Sequence, residues 1–366
     1  MAVISFEERY GYYIVHYGSI KYRTCSKIEA LQISRRNNGS VTWHYNDEVY
    51  GSYDWSQEIP EDLEDLYRQR AEQLRAKFDH VVIMYSGGFD SHNVLQSFLK
   101  NNVKVDAIVS FYNSMDNSTT GDINQEWQMQ TWPRLKPILE AHPEIEFIRL
   151  DMSQNSLNML ELHKDDYYYL DDGGLAPNFM GISYLNKLLP AKFHSGSLAM
   201  IYGVDKPRLR YQNNRFIFNF YDQGYRIKPV VNGSGIEYFY WSADMPRLAI
   251  KQAQVAKKFW SSDPLLIKSH PKNKTNKDLG IVLDQEYIPL QRIIYPHCEV
   301  GIFLTWRPTS PLFGRRDEWI YNSNTHYRDQ LLDMFESFKQ NVDRSWFNQG
   351  DHVKGLINNI SQDYML

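Results

Sequence analysis

The chain has 366 residues, and 40 Lys and Arg against 44 Asp and Glu give it a formal net charge of −4. This near-neutral balance argues against nucleic-acid binding over the whole surface, but it leaves room for a local basic patch. Hydrophobic residues make up 42% of the chain, and no apolar run approaches the roughly 18 residues that a membrane span needs, so we expect a globular protein without a membrane partner.

The two cysteines, Cys25 and Cys298, are too few for a disulfide framework or a four-thiolate zinc site. The first ten residues carry acids early and show no signal-peptide pattern. We therefore expect a reducing, cytoplasmic location. A buried apolar role is the commoner one for each cysteine, and a reactive thiol is the alternative.

The first sixty residues are predicted to form a β-rich region with one short helix. Strands are expected over 12–16, 20–22, 41–45 and 48–53, and a helix capped by Ser26 over 27–36. Residues 61–77 are then predicted to form a charged amphipathic helix. The many aromatic residues before it could stack on nucleobases, although packing within a small sheet is their commoner use.

From residue 80 onward, apolar runs alternate with amphipathic segments. Residues 80–85 form a short continuous apolar run, which is typical of a strand buried on both faces of a parallel sheet. Further strands are expected over 103–110, 144–150 and 198–202, and helices over 91–100, 123–141, 153–163 and 179–189. This alternation predicts an α/β fold with a doubly wound, mostly parallel sheet.

Beyond residue 202 the order of elements is less regular. We expect a strand over 216–221, helices over 245–260 and 327–342, a polar linker or mobile loop over 261–276, and a long ordered loop over 297–316. The chain is accordingly divided into a β-rich N-terminal region (1–60), an α/β domain (61–260) and an α-rich C-terminal extension (261–366).

The segment with the strongest chemical signal is the turn at 86–91, Ser-Gly-Gly-Phe-Asp-Ser. It lies between a predicted buried strand and a helix start, where backbone N–H groups converge and the helix dipole favours an anion. Its glycines let the backbone approach the anion, and its two serines add hydroxyl donors. It is neither the Walker pattern nor the GxGxxG pattern of dinucleotide-binding folds. The turn therefore predicts a phosphate site of another kind.

This segment resembles the SGGxDS signature of the PP-loop ATP pyrophosphatase superfamily, which includes asparagine synthetase, NAD synthetase and tRNA-modifying thiolases. From average residue usage, a chance match is on the order of one in a million per position. The resemblance covers roughly residues 78–205. It implies that ATP is cut between its α and β phosphates, with Mg²⁺, to give an adenylated substrate and pyrophosphate.

The resemblance also implies roles for residues of this chain. Asp90 would organise the turn or reach Mg²⁺, while the serines and glycines around it would hold pyrophosphate. The ends of the first two strands of the α/β sheet would shape the adenosine pocket. The nucleotide-binding set is then Tyr85, Ser86, Gly87, Gly88, Phe89, Asp90, Ser91, Ser110 and Phe111.

A second candidate turn, at 203–208, follows the strand expected over 198–202. Ligands of open α/β sheets lie beyond the carboxyl ends of the strands, so this turn should face the same crevice as residues 86–91. Lys206 and Arg208 could act with Asp90 in catalysis by neutralising the departing pyrophosphate. Asp205 could hold Mg²⁺ together with Asp90. The alternative is a surface turn with solvated charges.

Other charged segments carry weaker signals, and for each of them a solvated surface position is the open alternative. They are the acidic turn at 171–174, Lys251, Lys257, Lys258, the arginine pair at 315–316, and His92 beside the turn.

Features of well-known relatives are absent from this chain. Position 2 is Ala2, so a glutaminase with an N-terminal cysteine is not expected, and two isolated cysteines weaken a thiolation mechanism. The remaining chemistry is the attack of a nitrogen nucleophile on an adenylated carbonyl or carboxylate, as in an asparagine-synthetase-like ligase without its own glutaminase. A tRNA or DNA base-modifying enzyme and a non-catalytic adenine-nucleotide-binding module remain alternatives.

The acceptor that ATP would activate is left open by the sequence, and it could be a small molecule or a nucleic acid. A second copy of the chain is an open option as a partner. The Asn- and Tyr-rich composition is similar to that of PP-loop proteins of large bacteriophages, for which the location would be the host cytoplasm.

Overall fold

The computed structural model describes residues 10–112, 127–151, 189–203, 207–222, 234–297, 347–349, 352–356 and 359–366. The helices expected over 153–163, 179–189 and 327–342 and the loop over 297–316 lie outside these ranges, apart from single residues at their ends. The same is true of Cys298, the acidic turn at 171–174 and the arginine pair at 315–316.

The described elements follow one another in an order that begins with β-strands and then alternates. They are β1 Tyr12–Tyr17, β2 Ile20–Thr24, α1 Lys27–Arg36, β3 Ser40–His44, α2 Asp47–Tyr50, α3 Leu63–Lys77, β4 His80–Met84, α4 Phe89–Leu99, β5 Ala107–Tyr112, a π-helical turn Trp127–Thr131, α5 Trp132–Ala141, β6 Glu146–Asp151, a 3₁₀ turn Ala191–His194, β7 Leu198–Tyr202, β8 Leu209–Gln212, β9 Arg215–Phe218, β10 Ser234–Tyr238, α6 Pro246–Ser261, α7 Pro264–Ser269, β11 Lys274–Asn276, β12 Gly280–Val282, α8 Ile288–Ile294, β13 Phe347–Gln349, β14 His352–Leu356 and β15 Tyr364–Met365.

The N-terminal region is an antiparallel sheet of order β2-β1-β3. The prediction of α1 is confirmed, because Ser26 accepts a hydrogen bond from the Glu29 N–H and so caps its first turn. The strand expected over 48–53 is wrong. Asn46 adopts a left-handed conformation with φ of 47°, and the chain turns into α2, which places Tyr50 in the core. Burial of that ring outweighs the strand propensity of the segment.

The centre of the fold is a five-stranded parallel sheet of order β10-β7-β4-β5-β6, flanked by helices. The predicted α/β class with a parallel sheet is therefore confirmed. All five residues of β7 are buried, as the apolar sequence run predicts. Several boundaries differ from expectation: β5 lies over Ala107–Tyr112, β6 over Glu146–Asp151, and α4 begins at Phe89, inside the turn at 86–91.

A second five-stranded sheet is antiparallel, with order β11-β12-β8-β9-β15. It corrects the linker expected over 261–276, because Asp263 caps α7 there and β11 joins this sheet. The expectation of an α-rich C-terminal extension also fails within the described residues, where α7 and α8 stand beside β11 to β15. Polar composition suggested a loop, but β11 forms a hairpin with the next strand, β12, which in turn pairs with the distant strand β8.

One continuous hydrophobic core joins the three regions expected from the sequence. The Tyr10 hydroxyl donates to the Ile236 carbonyl at 2.7 Å, which ties the N-terminal sheet to β10. The ring of Tyr364 stacks on Trp55 at 4.5 Å between centroids, which brings the end of the chain to the same core. None of the described helices is long and apolar enough to cross a membrane.

Candidate functional site

The turn at 86–91 lies at the point where the strand order of the parallel sheet reverses. Its strand, β4, is central, and the chain moves to β5 and β6 on one side and to β7 and β10 on the other. Met84 pairs with Tyr202, so β4 and β7 end side by side. Crevices at such points are where open α/β sheets bind ligands.

The second predicted turn meets the first one at Gly203. A Cβ added to Gly203 would lie 2.8 Å from the Asp90 carbonyl oxygen, so only glycine permits this approach. The expected convergence of the two turns is thus seen at Gly203, the first residue of the second turn. Asp205 and Lys206 lie outside the described residues, and their placement as metal and pyrophosphate ligands stays a prediction.

Serine hydroxyls hold the turn in shape. The Ser91 hydroxyl lies 3.2 Å from both the backbone nitrogen and the hydroxyl of Ser86, and 3.4 Å from the Gly88 carbonyl. Ser91 is buried, whereas Ser86 is exposed. Ser91 therefore acts within the fold, and Ser86 is the serine that presents its surface to solvent.

A clamp that the sequence did not reveal holds the outside of the turn. The Thr131 hydroxyl donates to the Ser86 carbonyl at 2.7 Å, and the Gln130 amide approaches the same oxygen at 3.4 Å. The Arg134 guanidinium donates to the Gly87 carbonyl. These residues belong to the π-helical turn and α5, and such irregular turns occur frequently at functional sites. The sequence signal for this irregularity was Pro133, which interrupts the helical pattern.

Gly87 is required by this close contact. Its φ is +75°, a conformation that L side chains rarely adopt, and an added Cβ would lie 2.8 Å from Thr131 Cα. Backbone carbonyls that point to the clamp leave the opposite side of the peptide units for other partners. Gly87 therefore permits both the shape of the turn and its close contact with the clamp.

Asp90 is directed toward a cluster of buried tyrosines. Its backbone carbonyl accepts a 2.7 Å hydrogen bond from the Tyr240 hydroxyl. The same hydroxyl accepts a 3.2 Å hydrogen bond from the Asn93 side-chain amide. The Asp90 Oδ1 is buried. Burial raises the pKa of Tyr295 well above its usual value, and the neighbouring Asp90 carboxylate adds to the effect. These contacts support the expectation that Asp90 organises the turn.

A cluster of metal-ligating side chains is not found within the described ranges, where no three of the His, Cys, Asp and Glu residues come together. Asp205, the expected partner of Asp90, is not among the residues searched. The magnesium role of this pair therefore stays a prediction.

The end of β5 supports the turn through a buried hydrogen bond. The Ser110 hydroxyl donates to the Tyr85 carbonyl at 2.7 Å and is 1% exposed, and Tyr85 is itself buried. Phe111 and Phe89 are half-buried at the edge of the crevice. Of these four expected nucleotide-pocket residues, the two phenylalanines present surface that a ligand could touch.

His92 lies half-buried in the first turn of α4. Its Nδ1 is 2.9 Å from the Tyr85 hydroxyl. Burial and, to a smaller extent, the positive charges of Arg134 and Lys100 lower the pKa of His92 to about 4. The ring is therefore neutral at pH 7 and packs against Tyr85, so it does not supply a cation for a phosphate.

The predicted pyrophosphate ligand Arg208 and the weaker candidate Lys251 both have structural contacts. The Arg208 Nε donates to Gln285 at 3.1 Å, and its guanidinium lies 4.2 Å from the centre of the Tyr221 ring. The Lys251 ammonium donates to the Ile59 carbonyl at 2.7 Å. Arg208 therefore points to the second sheet, and Lys251 fastens α6 to the segment before α3.

Similarity to known proteins does not extend the motif resemblance, since no protein-family model and no curated protein sequence matches the chain. The turn, its clamp and the tyrosine cluster behind Asp90 are therefore the features from which a function can be inferred.

Proposed function

We propose that this protein is an ATP-dependent adenylating enzyme that cuts ATP into AMP and pyrophosphate. The observation that carries the proposal is the position of the Ser-Gly-Gly-Phe-Asp-Ser turn. It follows the central strand β4 at the point where strand order reverses, and it opens directly into α4. A sheet of this topology binds its ligand at that point.

The chemistry of the turn suits a pyrophosphate group. Helix α4 has 11 residues, and its first N–H groups and dipole favour an anion at 86–91. The exposed Ser86 hydroxyl adds a donor, and the turn contains no lysine of the kind that Walker motifs use on a transferable γ-phosphate. These features support cleavage between the α and β phosphates.

In the proposed reaction, a carbonyl or carboxylate oxygen of the acceptor attacks the α-phosphorus of ATP. The bond from that phosphorus to the oxygen bridging to the β-phosphate breaks, and pyrophosphate leaves with the electron pair. A nitrogen nucleophile then attacks the activated carbon and displaces AMP, which keeps the acceptor oxygen. The nucleophile loses one proton to solvent or to a base.

Charge compensation for pyrophosphate is assigned to Lys206 and Arg208. Mg²⁺ held by Asp90 and Asp205 would neutralise the phosphate oxygens. Arg208 would have to leave Gln285 and Tyr221 to take part. Asp90 would keep its contact with the tyrosine cluster through its backbone carbonyl while its carboxylate turned toward the metal.

The proposal is tested with α-labelled ATP and Mg²⁺, with and without small-molecule and tRNA extracts, by resolving AMP, ADP and pyrophosphate. We expect AMP and pyrophosphate, a loss of at least about 100-fold in Asp90→Ala, and about tenfold in Ser86→Ala, the loss that one hydrogen bond of about 1.4 kcal/mol represents. Ser195→Ala is the matched control. This exposed serine precedes β7 and so lies near the amino ends of the parallel strands, whereas the turn lies at their carboxyl ends.

Two results would contradict the proposal. Formation of ADP would mean that the turn transfers a γ-phosphate. ATP that is bound but intact under every addition would identify a nucleotide-binding module without turnover.

A further inference from the structure

Among the described residues, the hydrophobic core includes side chains from only one face of the N-terminal sheet. The strand register places Tyr12 opposite His44, and Ile14 opposite both Arg23 and Thr42. The alternate residues on β1, Tyr13 and Val15, are buried on the other side. We define the outer face as Tyr12, His16, Lys21, Arg23, Thr42 and His44.

Helix α1 covers the inner side of this sheet. The Tyr22 hydroxyl, which belongs to that side by register, donates to the Glu29 carboxylate of α1 at 2.9 Å. The acidic residue of this helix therefore faces away from the outer face. Lys21, Arg23 and Thr42 on the outer face are exposed.

The charge of this region is opposite in sign to that of the whole chain. Residues 10–45 contain five Lys and Arg and one Glu, whereas the chain carries a net charge of −4. The strands β1, β2 and β3 contain no carboxylate. Of the five cations, Lys27 is buried in an ion pair with Asp222 at 2.8 Å. The other four cations, Lys21, Arg23, Arg35 and Arg36, are exposed on this sheet and its helix.

Planar groups are stacked across the three strands of the outer face. The Arg23 guanidinium lies 3.7 Å from the centre of the Tyr12 ring. Tyr12 and His44 stack with centroids 5.3 Å apart and planes 11° from parallel. His16 and His44 each place a ring nitrogen 3.1 Å from the Thr42 hydroxyl. A row of planar, hydrogen-bonding groups thus lies beside the exposed cations Lys21 and Arg23. At its His44 end, the ring Nδ1 lies 2.7 Å from the Asp47 carboxylate.

We propose that the outer face binds a single-stranded polynucleotide. Lys21 and Arg23 would contact phosphates, and bases would extend the row of Tyr12 and His44 by stacking. The planar row favours this ligand over an acidic peptide, which offers negative charge but no regular series of flat rings.

The outer face is linked to the turn at 86–91 through a short series of contacts. Tyr45, the residue after β3, donates its hydroxyl to the Trp241 carbonyl at 2.5 Å. The adjacent Tyr240 binds the Asp90 carbonyl. A polynucleotide on the outer face would thus be held by the same framework as the turn. Its assignment as the acceptor class of the ATP reaction rests on the proposed function, whereas its binding does not.

The binding is tested without ATP, by fluorescence anisotropy of a labelled 20-nucleotide RNA of mixed sequence at 50 mM and 200 mM salt. The variant pair Lys21→Glu with Arg23→Glu should lower the affinity at least tenfold and flatten the salt dependence, because phosphate contacts release counterions. The matched control is Arg35→Glu with Arg36→Glu, which makes the same charge change at the end of α1 and should cost less than threefold. Tyr12→Leu should lower the affinity about fivefold with the salt dependence unchanged.

Several results would overturn the inference. These are no binding by the wild type at 50 mM salt, equal losses in the two charge variants, equally effective competition by polyglutamate, or a change of oligomeric state in the Lys21 and Arg23 variant, which would make the face a contact between copies. A cooperative thermal unfolding transition, measured for each variant, serves as the control that the variant is folded. Polynucleotide binding without AMP formation would refute the proposed function alone, and AMP formation without binding would refute this inference alone.

Discussion

The N-terminal sheet and the parallel sheet bury their side chains differently. In the parallel sheet, every residue of β7 and four of the five residues of β4 are buried, because both faces are covered. In the N-terminal sheet, buried and half-buried residues alternate along the first part of β1. One sheet therefore has both faces in the core, and the other has a single core face.

This difference decides where chemistry can lie in each sheet. A strand buried on both faces can expose polar groups only at its ends, which is where the turn at 86–91 and Gly203 meet. A sheet with one core face can present a whole row of side chains, such as Tyr12, Arg23 and His44. We therefore assign the small ligand to the strand ends and the extended ligand to the sheet face.

The largest expected effect is a difference in stability between alanine variants of one isoleucine from each sheet. Ile83 in β4 is fully buried, so Ile83→Ala should lower the free energy of unfolding by about 3 kcal/mol through lost burial and the cavity left behind. Ile14 is half-buried on the outer side of β1, and Ile14→Ala should cost less than about 1 kcal/mol. Urea denaturation measures both. Equal losses would show that the outer side of β1 is packed as tightly as the parallel sheet.

The next effect compares one turn glycine from each sheet. Gly87 and Gly18 both have positive φ, at 75° and 56°, so an alanine at either position should cost about 1 kcal/mol of backbone strain. A Cβ at Gly87 would also meet Thr131 Cα at 2.8 Å, whereas one at Gly18 meets nothing within 4 Å. Gly87→Ala should therefore cost about 2–3 kcal/mol in all and abolish ATP binding. Gly18→Ala should leave ATP binding intact, and similar losses in both variants would argue against the clamp.

The smallest of the three effects depends on pH and concerns His92. Its pKa is about 4 in the folded protein, against about 6.5 in the unfolded chain, so the unfolded state binds the extra proton between these values. Stability should therefore fall as the pH drops through this window and be insensitive to His92 above it. Between pH 7 and pH 5 the wild type should lose about 2 kcal/mol more than His92→Gln. Parallel pH profiles of the two proteins would contradict the burial of this ring.

Local sequence patterns correctly predicted the strands and helix starts that depend on residues close together in the chain. The run at 80–85, the Ser26 cap and the apolar strand at 198–202 were found from the sequence because each is determined by neighbours along the chain. Residues 48–53 and 261–276 were predicted wrongly. Tyr50 is buried against distant residues such as Phe220. The hairpin of β11 and β12 joins the second sheet because β12 pairs with the distant strand β8.

The candidate site shows the same division. The turn at 86–91 was predicted as a unit, since its spacing of small and hydroxyl residues is local. Its clamp by Gln130, Thr131 and Arg134 was not predicted, because these residues lie more than forty positions later in the sequence. Arg208 contacts Gln285 in the segment after β12, a partner that the sequence did not indicate, and its role beside the turn stays a prediction.

The sequence by itself determined the class of the fold and the parallel strands, and it located one turn for which anion binding is predicted. Only the tertiary structure decided which strands are neighbours, which side of the turn is clamped, and which aromatic residues of the N-terminal sheet are buried. Tyr13 and Trp43 pack inside while Tyr12 lies on the outer face. Hydrophobic period and turn chemistry act over a few residues, whereas pairing and packing balance the burial of the whole chain.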